Sequence, residues 1–153
     1  MYVAFVIVHS LLRWLVLLAG FNALLRAIGG ARSGRSWAPG DEQAGRWLII
    51  LFDVQFLIGL ILYVGLSPLT QSAFNDFGAA MRDPQLRYWG VEHIAGMVVA
   101  SALLHIGRAR ARKAPEVRRH RVTAIFFGLA LLVILLSIPW PGMPAGRPLF
   151  RGL

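Results

Sequence analysis

Four apolar stretches govern what this chain can become: Tyr2 to Leu25, Trp47 to Leu66, Trp89 to Ile106 and Val122 to Pro139. Each approaches the ~20 residues that carry a helix across a hydrocarbon layer. Only Arg13, Asp53 and Glu92 bring a formal charge into them. Backbone groups placed in lipid must be satisfied within the segment, which selects helices. Hydrophobic residues make up 57% of the chain, above the half or so found in soluble domains. The expected fold is all-α, an integral membrane four-helix bundle forming one domain over residues 1–153, with helices at about 2–25, 47–66, 84–107 and 122–139. The first stretch has no charged segment before it and no convincing cleavage site after it, so it reads as a retained helix.

The net charge of +9 raises the question of nucleic acid. Its distribution answers otherwise. Eleven of the sixteen basic residues fall in two loops, at Arg26, Arg32, Arg35 and Arg46 and then from Arg108 to Arg121. Such clusters beside spans mark the cytoplasmic side and also meet anionic lipid heads. The reading is a multi-pass protein of a bacterial inner membrane, with lipid rather than nucleic acid as its surroundings. Both basic loops then lie inside, and both termini lie on the outer, periplasmic side. Gly29, Gly30, Gly34, Pro39 and Gly40 are expected to break the helix in the first basic loop. Asp41 is a candidate cap for the second helix, and Asp83-Pro84 is a start signal for the third. Phe74, Phe77 and Met81 share a helical spacing that predicts a short surface helix between spans two and three. The chain has no cysteine, hence no disulfide or thiolate chemistry.

Polar residues inside spans are costly and mark function. Counted from the basic ends at ~1.5 Å per residue, His9 on helix one lies ~25 Å up and His93 on helix three ~22 Å up. Two imidazoles at one height on separate helices can take a haem iron from both faces. Each can equally serve as a hydrogen-bonding partner for a neighbouring helix. Gly20 shares the face of His9, and Gly96 that of His93; small residues there admit a flat macrocycle or close helix packing. Arg13, one turn below His9, needs a partner, either Glu92 or a haem propionate; Arg87 is a second candidate for a propionate. Asp53 and His105 lie at ~10 and ~5 Å from the inner end and form a possible inner polar pair, for proton relay, quinone contact or structure. His105 stands ~120° around the helix from His93, which disfavours a second haem stacked below the first. His120 is expected to be solvated in its basic loop. No catalytic nucleophile, phosphate-binding loop or zinc site is visible.

Several strings carry a resemblance: His9-Ser-Leu-Leu-Arg13-Trp14 in helix one, Gln55-Phe-Leu-Ile-Gly59-Leu-Ile-Leu-Tyr63 in helix two, Arg87-Tyr-Trp-Gly-Val-Glu92-His93 entering helix three, and Ile138-Pro-Trp-Pro141 closing helix four. Together, over nearly the whole chain, they resemble small bacterial four-span membrane proteins labelled cytochrome b-like. The resemblance implies a b-type haem. Asp53 departs from that pattern, standing where such proteins often carry histidine, which leaves His9 and His93 as the surviving pair. The expectation is therefore one haem b near the periplasmic side between helices one and three, with electron transfer to a redox partner or larger membrane complex and quinone as a further possible cofactor. The alternative is a haem-free structural or accessory subunit; a small proton-coupled transporter using Asp53 and His105 ranks below both.

Overall fold

A computed structural model describes residues 1–150. Four long helices dominate it: α1 (Tyr2–Ser33), α2 (Pro39–Ile61), α6 (His93–Lys113) and α7 (Glu116–Leu136). Three short helices, α3 (Pro68–Asn75), α4 (Phe77–Ala80) and α5 (Pro84–Arg87), connect α2 to α6. The segments Pro39–Leu66 and Pro84–Lys113, with α1 and α7, are long and apolar enough to cross a membrane. The chain is a multi-pass four-helix bundle.

The packing order follows from the turns. α1 packs on α2 and α7, and α7 packs on α6, while α2 and α6 meet sparsely. The bundle is therefore closed on three sides and seamed between α2 and α6. Its interior is built from Val16, Leu17, Leu48, Phe52, Leu104, Phe127, Leu131 and Ile134. Leu18, Leu25, Leu57 and Leu136 stay exposed. Apolar residues on the outside as well as the inside are what a lipid-bathed bundle requires, since lipid tails solvate leucine as well as the core does.

Small residues set the close approaches. A Cβ at Gly20 would meet Leu131, one at Gly96 would meet Ser137, and one at Gly107 would meet Phe126. All three contacts bring a helix against α7 or, at Ser137, its C-cap, so Gly20 and Gly96 act as packing positions rather than as floors for a macrocycle.

The helix boundaries depart from expectation in the basic region. α1 does not break at Gly29 and Gly30; it continues to Ser33 and stops at Gly34, which adopts φ +65°. Gly30 is held in the helix because its missing side chain makes room for the ring of His120 from α7. α7 starts at Glu116, so Arg118 to Arg121 are helical. α6 likewise continues past Gly107 to Lys113. Pro39 opens α2, and Asp41 caps it from the third position by accepting from the Ala38 N–H at 3.0 Å. Asp83 caps α5 through the Leu86 N–H at 2.8 Å, with Pro84 following, as the motif predicts. In place of the single surface helix expected across Phe74, Phe77 and Met81 stand two pieces, α3 and α4, parted at Asp76, with Met81 just past the end of α4. Phe74 and Phe77 are exposed.

Candidate functional site

Polar side chains converge at the end of the bundle opposite the basic loops. The backbone there is irregular. α2 widens into a π turn at Leu62–Leu66, and the third span carries another at Tyr88–Glu92. Insertions of this kind recur at functional sites, because they redirect side chains that a regular helix would bury elsewhere. Tyr63 in the first π turn donates its hydroxyl to the Gly90 carbonyl in the second, at 2.7 Å. Thr70 of α3 donates to the Tyr63 carbonyl at 2.8 Å. The two irregular segments are thereby tied together.

Between α1, α2 and the third span lies a cavity of about 140 Å³. His9, Arg13, Gln55, Gly59, His93 and Met97 are among its lining residues. The rings of His9 and His93 stand 6.5 Å apart, centre to centre, with their planes at 72°. His93 Nδ1 lies 2.8 Å from the Ser137 carbonyl oxygen. A carbonyl only accepts, so Nδ1 carries the proton and Nε2 keeps its lone pair. Tyr88 donates to the same carbonyl at 2.6 Å. His9 is positioned through its backbone, whose carbonyl accepts from Gln55 Nε2 at 2.9 Å. The His9 ring lies over Gly59, where a Cβ would stand 3.1 Å from its Cε1.

Four polar atoms on residues of this cavity are buried without a hydrogen-bond partner among the described residues: His9 Nδ1, Arg13 Nε, Gln55 Oε1 and Trp89 Nε1. Buried polar groups are ordinarily satisfied, and each exception calls for an explanation.

The tail after α7 folds back over this end. Arg13 Nη2 donates to the Leu149 carbonyl at 2.6 Å, and Trp14 Nε1 donates to the same oxygen at 3.2 Å. Phe150 stacks on Trp14 at 5.3 Å. Arg147 places its guanidinium 5.3 Å from the Trp89 ring and lines the cavity. The cavity thus carries two arginines, Arg13 and Arg147. Arg87 is elsewhere: its Nε pairs with Glu92 at 2.6 Å, both side chains are about half exposed, and it does not line the cavity. No Arg13–Glu92 pair forms.

Of the residues singled out from sequence, His9, His93 and Arg13 meet at the cavity, whereas Arg87, Gly20 and Gly96 do not. Sequence reasoning missed Arg147, Gln55, Gly59 and the Ser137 carbonyl. Gln55 had a usable signal, a polar side chain deep within an apolar run. A backbone carbonyl and an arginine beyond the last span had none.

The expected inner pair is also brought together. His105 Nε2 lies 3.0 Å from Asp53 Oδ1, on the seam between α2 and α6. Both side chains are about half exposed, outside the core. His120, by contrast, is not solvated. It is 3% exposed, packs against Gly30 and lies 3.3 Å from Asp41. The length added at the start of α7 swings it into the bundle. Asp41 also binds Arg26 at 3.0 Å and Arg35 at 2.6 Å, so one carboxylate gathers three helical segments at the basic end.

Compared with protein-family models, curated proteins and solved structures, the chain matches none. Among the described residues no group of three or more histidine, aspartate or glutamate side chains is arranged to hold a bare metal ion. The chemistry of this end therefore rests on a histidine pair, two arginines and unpaired polar atoms around an apolar cavity.

Proposed function

We propose that this chain is a b-type haem-binding membrane protein for single-electron transfer, with one haem held between His9 and His93. The observation that carries the reading is their 6.5 Å ring separation across a cavity. Two imidazoles that share one metal at ~2 Å per bond set their ring centres roughly 6 Å apart. When bound, the haem supplies a one-electron couple. The chain's own residues supply the rest. Ser137 holds the His93 proton on Nδ1 and so presents a neutral Nε2 as a donor, the outer-sphere arrangement typical of metal-binding histidines. Arg13 and Arg147 put positive charge where an acidic cofactor edge needs it. Phe52, Met97 and Ile134 make the remaining wall apolar. A cofactor with polar edges would also give partners to the unsatisfied atoms of Arg13 and Trp89.

The proposed orientation sets the basic end in the cytoplasm, leaving the cavity on the periplasmic side of a bacterial inner membrane. The proposed partners are the quinone pool and a periplasmic or membrane-bound redox protein. Single cysteines at Ser33 and Ala114 are expected to resist an impermeant thiol reagent on intact cells, and one at Ser72 to react; the reverse pattern overturns the orientation.

The haem reading is tested by expressing the protein with ample haem and recording oxidised and reduced spectra. A low-spin spectrum with a sharp reduced α-band is expected. His9→Ala and His93→Ala are each expected to lose haem or leave it five-coordinate, while His105→Gln leaves the band in place. Folded protein that stays haem-free and resists reconstitution sinks the reading. It would favour the second one, a haem-free accessory subunit. The specific support for that alternative is that Gln55 to His9 and His93 to Ser137 are already interhelical hydrogen bonds.

A further inference from the structure

Five buried polar side-chain atoms lack a partner among the described residues, and four belong to the histidine cavity. The fifth is the indole Nε1 of Trp37, at the opposite end of the bundle. Trp37 sits between α1 and α2 and lines a small cleft of about 20 Å³ with Arg108, Arg112, Arg119 and Thr123. Its ring is held on two sides, by His120 at 4.9 Å and by the Arg119 guanidinium at 5.1 Å. A fixed N–H donor thus stands in a site where the protein offers it no acceptor.

The two carboxylates of the cleft are already bound. Asp41 is taken by Arg26, Arg35 and His120, and Glu42 by Arg108 at 2.6 Å. Arg119 uses only its Nε, toward the Ala111 carbonyl at 3.2 Å. Arg112 makes no hydrogen bond or ion pair among the described residues. The cleft therefore presents one indole N–H and two guanidinium groups with free donors, against a single carboxylate oxygen, Glu42 Oε2, that takes no hydrogen bond among the described residues. An anion carrying several oxygens on one centre satisfies such a set, because guanidinium forks bind phosphate oxygens in pairs. The cleft also lies at the right level. Arg108 and Arg112 end one span and Arg119 and Thr123 begin the next, where lipid headgroups sit against a multi-pass protein.

We propose that this cleft is a binding site for a phosphate group, specifically the headgroup phosphate of an anionic phospholipid, with Arg112, Arg119 and the Trp37 indole as its donors. The site stands apart from the histidine cavity and does not depend on what that cavity holds. A soluble phosphate compound offers the same chemistry and is the competing source.

The test uses the full chain in neutral detergent, titrated with phosphatidylglycerol, phosphatidylcholine or inorganic phosphate. Native mass spectrometry counts retained lipid, and thermal unfolding reports stabilisation. One phosphatidylglycerol per chain is expected to be retained, with a raised unfolding midpoint and no matching effect from phosphatidylcholine. Arg112→Gln with Arg119→Gln is expected to weaken retention at least ~10-fold, about 1.4 kcal/mol. Trp37→Phe changes no charge and is expected to weaken it ~3- to 10-fold through loss of one donor. Lys113→Gln with Arg118→Gln removes the same charge from outside the cleft and is expected to leave retention unchanged. Inorganic phosphate matching phosphatidylglycerol at equal concentration would move the source to a soluble compound and overturn the lipid assignment. No retention by the wild type, equal loss in the Lys113/Arg118 variant, or full retention by Trp37→Phe would each overturn the site.

Discussion

His93 donates its Nδ1 proton to the Ser137 carbonyl at 2.8 Å, and this bond decides what the rest of the ring can do. It ties the third span to the end of α7 and leaves Nε2 as a lone-pair donor beside the cavity. The irregular backbone at Tyr88–Glu92 places the ring there, and Gly96 lets α6 approach Ser137 closely enough for the bond to form.

Tyr88 shares that carbonyl, at 2.6 Å. Tyr88→Phe removes one donor and strands no acceptor, since His93 still serves Ser137. The expected loss is about 0.5–1.5 kcal/mol in thermal unfolding in detergent. Under the haem reading the α-band keeps its position. A shift of that band as large as in His93→Ala would show that Tyr88, rather than Ser137, controls the imidazole.

Two adjacent glycines in α1 are expected to respond with opposite sign. A Cβ at Gly29 meets nothing within 4 Å, whereas one at Gly30 runs into the His120 ring. Gly29→Ala should stabilise by about 0.5–1 kcal/mol through backbone entropy alone. Gly30→Ala should destabilise by about 1–3 kcal/mol, the range for overpacked sites, because the ring is pinned by Asp41 and Trp37. Unfolding midpoints of the two variants read this directly, and equal effects would mean that α1 does not seat His120.

Asp41 is 4% exposed and holds Arg26, Arg35, His120 and the Ala38 N–H. Asp41→Asn keeps the shape and removes the charge. A loss of about 2–3 kcal/mol is expected, less than for fully buried pairs because Arg26 and Arg35 reach solvent. Raising the salt concentration should lower the wild-type midpoint only slightly, since Asp41 itself is shielded. A variant as stable as the wild type would remove Asp41 from the architecture of the basic end.

Asp53 and His105 meet across two helices that otherwise touch little. A double-mutant cycle of Asp53→Asn and His105→Gln, read by thermal unfolding, should give a coupling of about 0.6 kcal/mol and no more than about 1.7. Strict additivity would show that the 3.0 Å contact carries no energy. The pair bridges the seam between α2 and α6, so the coupled variants are also expected to loosen that seam first, seen as faster amide exchange in residues 50–57 than in α7.

Hydropathy alone determined the four spans, because a helix in lipid must be apolar over a length that the bilayer sets. The distribution of Arg and Lys put most of the basic residues at one end, and the constant rise per residue along a helix set His9 and His93 at matching height. Capping chemistry placed the start of the third span at Asp83-Pro84. What the sequence left open were the contacts that depend on which helix lies beside which. Gly29-Gly30 read as a break, and only the approach of α7 shows why Gly30 stays helical. His120 read as a loop residue, and only the bundle carries it onto Asp41. Arg13 read as a partner for Glu92 or a propionate and Arg87 as a second propionate candidate, yet Glu92 takes Arg87, while the returning tail sets Arg147 beside the cavity with Arg13. Periodicity reports a residue's height and face on its own helix. Rotation of the helix about its axis, the π turns that shift register and the fold of the tail are fixed by packing between segments distant in sequence, and those decided the site.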